Sequence, residues 1–285
     1  MRFTPPASLL ATHRFSGVFL EKSLREIRRR LLLMDTTTLA DTLSEPIQTV
    51  GLSFYFSPQA IERGKAIDLD VVALYAAGRG GVLGDIDAKE VDEIFYFFKP
   101  GIVAGMVEKA RGIAPREQAV AAHMDSAWDY AHASFGAVPP AVLDAFSSAA
   151  SELVSSLPTG QWPIVDGYLA LDVPTDTISK AYYWSIILRE LRGGVHTDAV
   201  KAAAISAAEA CQFDREGAFY QLHGYGDDDR VEETPERLER RKAIEADTSQ
   251  RMASLIERLD SSQQTALLDG ARAMVEAVAA PVPAS

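Results

Sequence analysis

Apolar side chains recur every three to four residues along most of this chain, the spacing that gathers them on one face of a helix. Leu39-Ala40, Leu43 and Ile47 begin the first such face. Ser57 followed by Pro58 reads as an N-cap with proline at the first helical position, and that helix runs to about Ala66. The next segment, DLDVVALYAAGR, takes Asp68 or Asp70 as its cap, and Gly78 with the following GGVLG is expected to break it. Asp87 caps AKEVDEIFYFF, whose face Pro100 interrupts, and Pro115 and Pro139-Pro140 open further helices. The clearest helix is PTDTISKAYYWSIILRELRGG. Thr175 or Asp176 caps it, Trp184, Ile187, Leu188 and Leu191 form one apolar stripe, and Gly193-Gly194 is expected to end it in the left-handed conformation. The last long helices cover about 234–258 and 261–279.

Strand signals are confined to GGVLG, FGAVP and GAFYQLHGYGDD. The pattern therefore predicts a mainly α chain with at most short β-hairpins. A faint internal echo links SPQAIERGKAIDLDVVALY with HTDAVKAAAISAAEACQF: a capped helix, a turn, and a second capped helix, the rhythm of a helix-turn-helix unit.

Length and charge narrow the picture. A chain of 285 residues makes one large domain or two small ones, and 47% hydrophobic with 24% charged residues suits a globular protein. The net charge of −12 disfavours nucleic acid and anionic membranes as partners, while leaving room for a local basic patch. Residues 1–33 hold seven Lys/Arg against two Asp/Glu. They read as a basic extension: a flexible arm, a segment upstream of a start at Met34, or an arm for nucleic acid or a membrane surface. They lack the apolar core and small-residue cleavage site of a signal peptide. One cysteine, Cys211, forms no internal disulfide, so a cytoplasmic location is the default and Cys211 is expected to be a packed thiol. No apolar run is long enough to span a bilayer, so no membrane partner is expected.

Candidate chemistry is sparse. Arg79 sits between Gly78 and Gly80-Gly81, where a guanidinium and close backbone approach suit a carboxylate or phosphate; a salt bridge to Glu190 or Asp85 explains it equally. Arg189 and Arg192 share a helix face, either complementing the dipole at the helix end or presenting Arg192 with Arg79 to an anion. His196 is the candidate general acid or base, with no serine–acid partner in view. His123, Asp129 and His132 make a weak metal set, because His123 is off the face of the other two, and no metal or cofactor is expected. The aromatics, Tyr75 and Trp184 among them, either fill a core or border an apolar cleft. Ligand-binding candidates are thus Arg79, Arg192, His196, Tyr75 and Trp184.

The stretches FYFSPQA, YAAGRGGVLGDI, FYFFKPGIV, ILRELRGGVH and TPERLERRKAIEADT, in this order and spacing from about Leu39 to Val278, resemble the actinobacterial helix-turn-helix family that includes the SalK-type proteins. The resemblance implies two winged-helix-like units of the MarR type fused in one chain, here 34–135 and 136–285. It also implies two departures: Leu191 and Gly194 stand where the family usually has a histidine and an acid, and the second unit is short where relatives carry a recognition helix. Asp227-Asp228-Asp229 lies at that place, and Asp87, Glu90, Asp92 and Glu93 outnumber Lys89 and Lys99 in the first unit. Such surfaces repel phosphates. The expected function is binding of an apolar or aromatic small molecule with an acidic group, DNA binding being weakened or lost. A ligand-responsive transcriptional regulator is the alternative, and an enzyme using His196 with Arg79 and Arg192 a further one. The oligomeric state stays open.

Overall fold

Five polar side chains set the starts of five helices. The carboxylates of Asp35, Asp70, Asp87 and Asp176 and the hydroxyl of Ser57 each accept a backbone N–H three residues on, which satisfies donors that the first turn leaves free. The computed structural model describes residues 34–279, with the backbone alone at 215 and 216; the basic extension 1–33 lies outside the described residues. Twelve α-helices, and no strand, occur among the described residues. They are α1 (Thr36–Leu52), α2 (Pro58–Lys65), α3 (Val71–Gly81), α4 (Ala88–Ile94), α5 (Ile102–Arg111) and α6 (Arg116–Phe135). The second half adds α7 (Pro140–Ser155), α8 (Pro163–Leu169), α9 (Thr177–Ala202), α10 (Ala207–Phe213), α11 (Pro235–Ile256) and α12 (Ser261–Ala279). Gly80-Gly81 of GGVLG and Phe135 of FGAVP end helices, and the rest of these segments, with GAFYQLHGYGDD, form turns and short 3₁₀ pieces. No helix among the described residues is long and apolar enough to cross a membrane.

The axis of the molecule is α9, which packs on α1, α6, α7, α8 and α11. From Ala181 to Leu188 every side chain on it is buried, and Tyr182, Ile186 and Ile187 are fully enclosed. A helix apolar on all sides belongs inside a ring of other helices. One continuous core runs from Leu39 on α1 to Met274 on α12. A smaller one joins α2 and α3 to α5 and α6 through Leu69, Leu74, Ala110 and Ala119.

Two expected breaks are absent. The α3 helix continues through Gly78 and Gly80, and α9 continues through Gly193-Gly194 for eight more residues. A Cβ at Gly78 would lie 2.3 Å from His123 Cβ, and one at Gly194 would lie 2.5 Å from Trp162 Cδ1. These glycines let a second element approach the helix backbone. Each costs about 1 kcal/mol in a helix interior, and burial of Val195, Ala199 and Val200 beyond the pair outweighs that cost. The internal echo survives in part. Ser57, Asp70 and Ser206 are true caps, but the first helix of the second copy is the tail of α9.

The run FYFF also departs from expectation, because α4 ends at Ile94 and Phe95–Phe98 form a turn. The adjoining α5 has Gly101 at its N-cap, which offers no capping side chain. Asp92 on α4 supplies the cap from a distance, accepting the N–H groups of Gly101, Val103 and Ala104 at 2.8, 2.9 and 3.0 Å. Asp92→Ala is expected to cost about 1–2 kcal/mol, read as a lower urea midpoint with faster amide exchange at the start of α5. Unchanged exchange there would mean that the cap contributes nothing.

Candidate functional site

Along α9, Arg189, Arg192, Gly193, His196, Thr197 and Lys201 fall on one face, and that face borders a cavity of about 430 Å³. At 1.5 Å per residue the stretch from Arg189 to Lys201 spans roughly 18 Å, so the cavity is a long one. Opposite α9 stand the turn Phe95–Phe98, Tyr55 and Tyr75, with Trp162 toward the far end. Phe56, Val72 and Leu222 also border it and are exposed to solvent. Of the residues singled out in the sequence, Tyr75, Arg79, Arg192 and His196 meet here. Trp184 does not. Its ring is buried against Tyr183 at 5.0 Å, inside the core.

At the inner end lies a buried charge cluster. Arg79 grips Glu190 with two parallel hydrogen bonds, Nε to Oε1 at 2.8 Å and Nη2 to Oε2 at 2.7 Å. Two more groups donate to the same Oε1: Arg189 Nη1 at 2.7 Å and the Tyr55 hydroxyl at 2.9 Å. The Arg79 guanidinium also rests 4.2 Å from the Phe95 ring centroid. Burial pushes the Glu190 carboxyl up, but the Arg189 and Arg79 charges outweigh that and hold it well below the usual carboxylate range. Burial and the Glu190 charge raise the Tyr55 phenol well above its usual value, so it stays neutral. Two cations against one anion leave this cluster a net positive charge beside the cavity. Because α9 runs on past Gly194, Arg189 and Arg192 sit in mid-helix, and complementing the dipole at its end does not explain them.

Farther along α9, Arg192 pairs with Glu245 at 2.9 Å, and Arg241 bridges Glu245 and Asp214. His196 Nδ1 lies 2.9 Å from Thr248 Oγ1, whose own hydroxyl donates to the Ile244 carbonyl at 2.8 Å. The Thr248 oxygen therefore accepts from an Nδ1–H, which leaves a lone pair on Nε2, toward Arg241 Nη1 at 3.5 Å. Burial pushes this imidazole down to about 4; Glu245 pulls it back, and Arg241 and Arg192 push it further down. At neutral pH His196 is an uncharged hydrogen-bonding group stacked on Phe97, not a base poised near 7.

Sequence reasoning missed a second pair. Cys211 Sγ lies 3.2 Å from His223 Nδ1 and donates to the Phe97 carbonyl at 3.3 Å. Burial pushes the thiol up to about 12, with Asp214 adding to it, and burial with the Arg189 and Arg79 charges pushes His223 down to about 4. A thiol that weakly acidic does not give its proton to that imidazole, so the pair rests neutral. Only the fold brings Cys211 and His223 together.

In the segments expected to face DNA, the cations lie beside acids. Lys89 on α4 is 3.8 Å from Glu93. Elsewhere, Arg63 on α2 is held by Asp129 at 2.7 Å and Asp125 at 3.4 Å. Asp229 pairs with Lys99 at 2.8 Å, and along α11 the cations Arg240, Arg241, Lys242 and Arg251 each pair with an acid three or four residues away. The conceivable metal set is scattered: His123 bonds Tyr168 Oη, Asp129 holds Arg63, and His132 faces Ser179 and Asp176. No group of three metal-ligating side chains forms among the described residues.

Compared with known proteins, residues 40–223 match a family described as a helix-turn-helix family. None of the curated proteins and none of the solved structures compared with the chain matches it.

Proposed function

Since the chain belongs to this helix-turn-helix family, we propose that it is a helix-turn-helix protein whose interior has become a binding site for an apolar or aromatic molecule with an acidic group. The observation that carries the reading is the cavity of about 430 Å³ with the Arg79–Glu190–Arg189 cluster, net positive and buried, in its wall. Ligand sites are typically apolar enclosures of this size with a few placed polar groups. The reading keeps two fused winged-helix-like units of the MarR type, 34–135 and 136–285, within the SalK-type actinobacterial branch, acting in the cytoplasm with DNA contacts weakened. The paired cations Lys89, Lys99 and those of α11 support the last point, because affinity for DNA rests on free cations at phosphates. Family membership favours the second reading, a ligand-responsive regulator. An enzyme using His196 has less support, given its low basicity.

Native mass spectrometry of protein purified from its own host is expected to show a retained small acid, and 4-phenylbutyrate is expected to raise the melting temperature. A ligand-free protein unmoved by this and other aryl carboxylates at millimolar concentration sinks the reading. Retardation of a fragment of its own promoter, weakening steeply with salt, moves it to the regulator.

A further inference from the structure

Arg79, Arg189 and Arg192 all border the cavity, but they differ in the donors they have left for a ligand. Arg79 gives Nε and Nη2 to Glu190 and turns Nη1 to the Tyr75 hydroxyl at 3.4 Å. Arg189 gives Nη1 to Glu190 and to the Tyr55 hydroxyl. Its Nε is closed off, but its Nη2 has no partner among the described residues and is not closed off. Arg192 gives Nη2 to Glu245, and its Nε and Nη1 are likewise unpartnered among the described residues and open. The Arg189 and Arg192 side chains are 19% and 12% exposed. Residues three apart on a helix hold their Cβ atoms roughly 5–6 Å from one another. The open nitrogens of this pair can therefore meet on one anion that has two acceptor oxygens.

The charges around the pair leave room for one negative charge. Arg79 and Arg189 are paired with Glu190 alone, a surplus of one cation. Arg192 and Arg241 are matched by Glu245 and Asp214. Of the other charged side chains that border the cavity, Lys201 and Asp198 add one charge of each sign, and Glu93 lies beside Lys89. Each arginine of the pair already holds a carboxylate, Glu190 or Glu245, so a second negative charge on the ligand stands against both. We infer that Arg189 and Arg192 seat the ligand's acid between them and select a singly charged group, a carboxylate, sulfonate or sulfate ester, over a doubly charged phosphate monoester. The apolar body lies along Tyr55, Tyr75 and Phe95, which border the cavity beside Arg189 and Arg79. This rests on the ligand-binding reading above and names the class of acid that the site takes.

The test uses the full chain at about pH 7.5 and two probes of one shape, each titrated by calorimetry beside 4-phenylbutyrate. They are 3-phenylpropyl sulfate, with one negative charge, and 3-phenylpropyl phosphate, with close to two. The sulfate and the carboxylate are expected to bind at least about tenfold more tightly than the phosphate. Arg192→Gln is expected to weaken both of the singly charged probes at least about tenfold. If that variant does not fold, Arg192→Lys, which keeps the charge and loses the planar fork, takes its place, with an expected loss of at least about threefold. Glu245→Gln adds one cation to the surplus and is expected to narrow the gap between sulfate and phosphate at least about threefold. A phosphate that binds wild type as tightly as the sulfate, affinities unmoved by the Arg192 variant, or a gap unmoved by Glu245→Gln overturns this inference and leaves the cavity's role as a binding site standing. If no probe binds, the ligand retained from the host decides. One negative charge on it upholds the inference, two overturn it, and a protein that carries no ligand takes the inference and the reading beneath it down together.

Discussion

Glu190→Gln is expected to destabilise the protein by about 3–5 kcal/mol, the cost of removing one partner from a buried ion pair. Among the described residues the carboxylate is the only anion paired with Arg79 and Arg189, and it is 3% exposed. Glutamine keeps the shape and one acceptor oxygen, but it leaves two guanidiniums side by side with nothing to offset them. For a domain of this size the loss corresponds to a fall in melting temperature of roughly 10 °C. Arg189→Met is the contrasting variant. It leaves the two-pronged Arg79–Glu190 pair and the Tyr55 hydrogen bond intact, so its cost is expected to stay below about 1.5 kcal/mol. Urea unfolding of the two variants checks the argument. Equal losses would mean that Arg189 is as much a part of the fold as Arg79, and that its charge is not in surplus.

Acidification is the second large effect. Burial, with Arg79 nearby, pushes His123 down to about 3, and burial with its neighbours pushes His196 and His223 down to about 4. In the unfolded chain the same groups bind protons near 6.5. Between pH 6.5 and about 4 the unfolded state therefore holds more protons than the folded one. Stability is full above pH 6.5 and is lost as pH falls through that window. At pH 5 the well-buried His123 and His196 each account for about 2 kcal/mol, and His223, less enclosed, acts in the same direction. The urea midpoint is expected to drop steeply from pH 7 to pH 5, and His196→Gln to make that drop shallower by about one proton taken up on unfolding. A midpoint constant across this range would show that these imidazoles are not held neutral by burial.

The helices were readable in the chain because their causes are local. Ser57-Pro58, Asp87, and the repeat of Trp184, Ile187, Leu188 and Leu191 act through backbone donors and side-chain spacing within a few residues. The glycines misled for the complementary reason. Taken alone, Gly78 and Gly193-Gly194 are weak points in a helix, and only the presence of His123 and Trp162 against that backbone makes them packing surfaces. Trp184 misled in the same way: its spacing gave its face, but whether that face met a cavity or the core was outside its own helix.

The cavity divides along the same line. Arg189 and Arg192 were legible as one face of α9, since a helix fixes the relation of residues three apart; His196 joins that face only because the helix runs on through Gly193-Gly194. A salt bridge from Arg79 to Glu190 or Asp85 was a candidate, and the structure selects Glu190, 111 positions away; that Arg189 and Tyr55 join the same carboxylate, and that Cys211 meets His223, could not be read. The sequence by itself determined a mainly helical chain, its caps and most of its helix limits, and a net charge unsuited to phosphate. The tertiary structure alone decided which buried charges are matched, because pairing energies in a low-dielectric interior depend on distances between residues far apart in the chain, and local pattern carries no information about those distances.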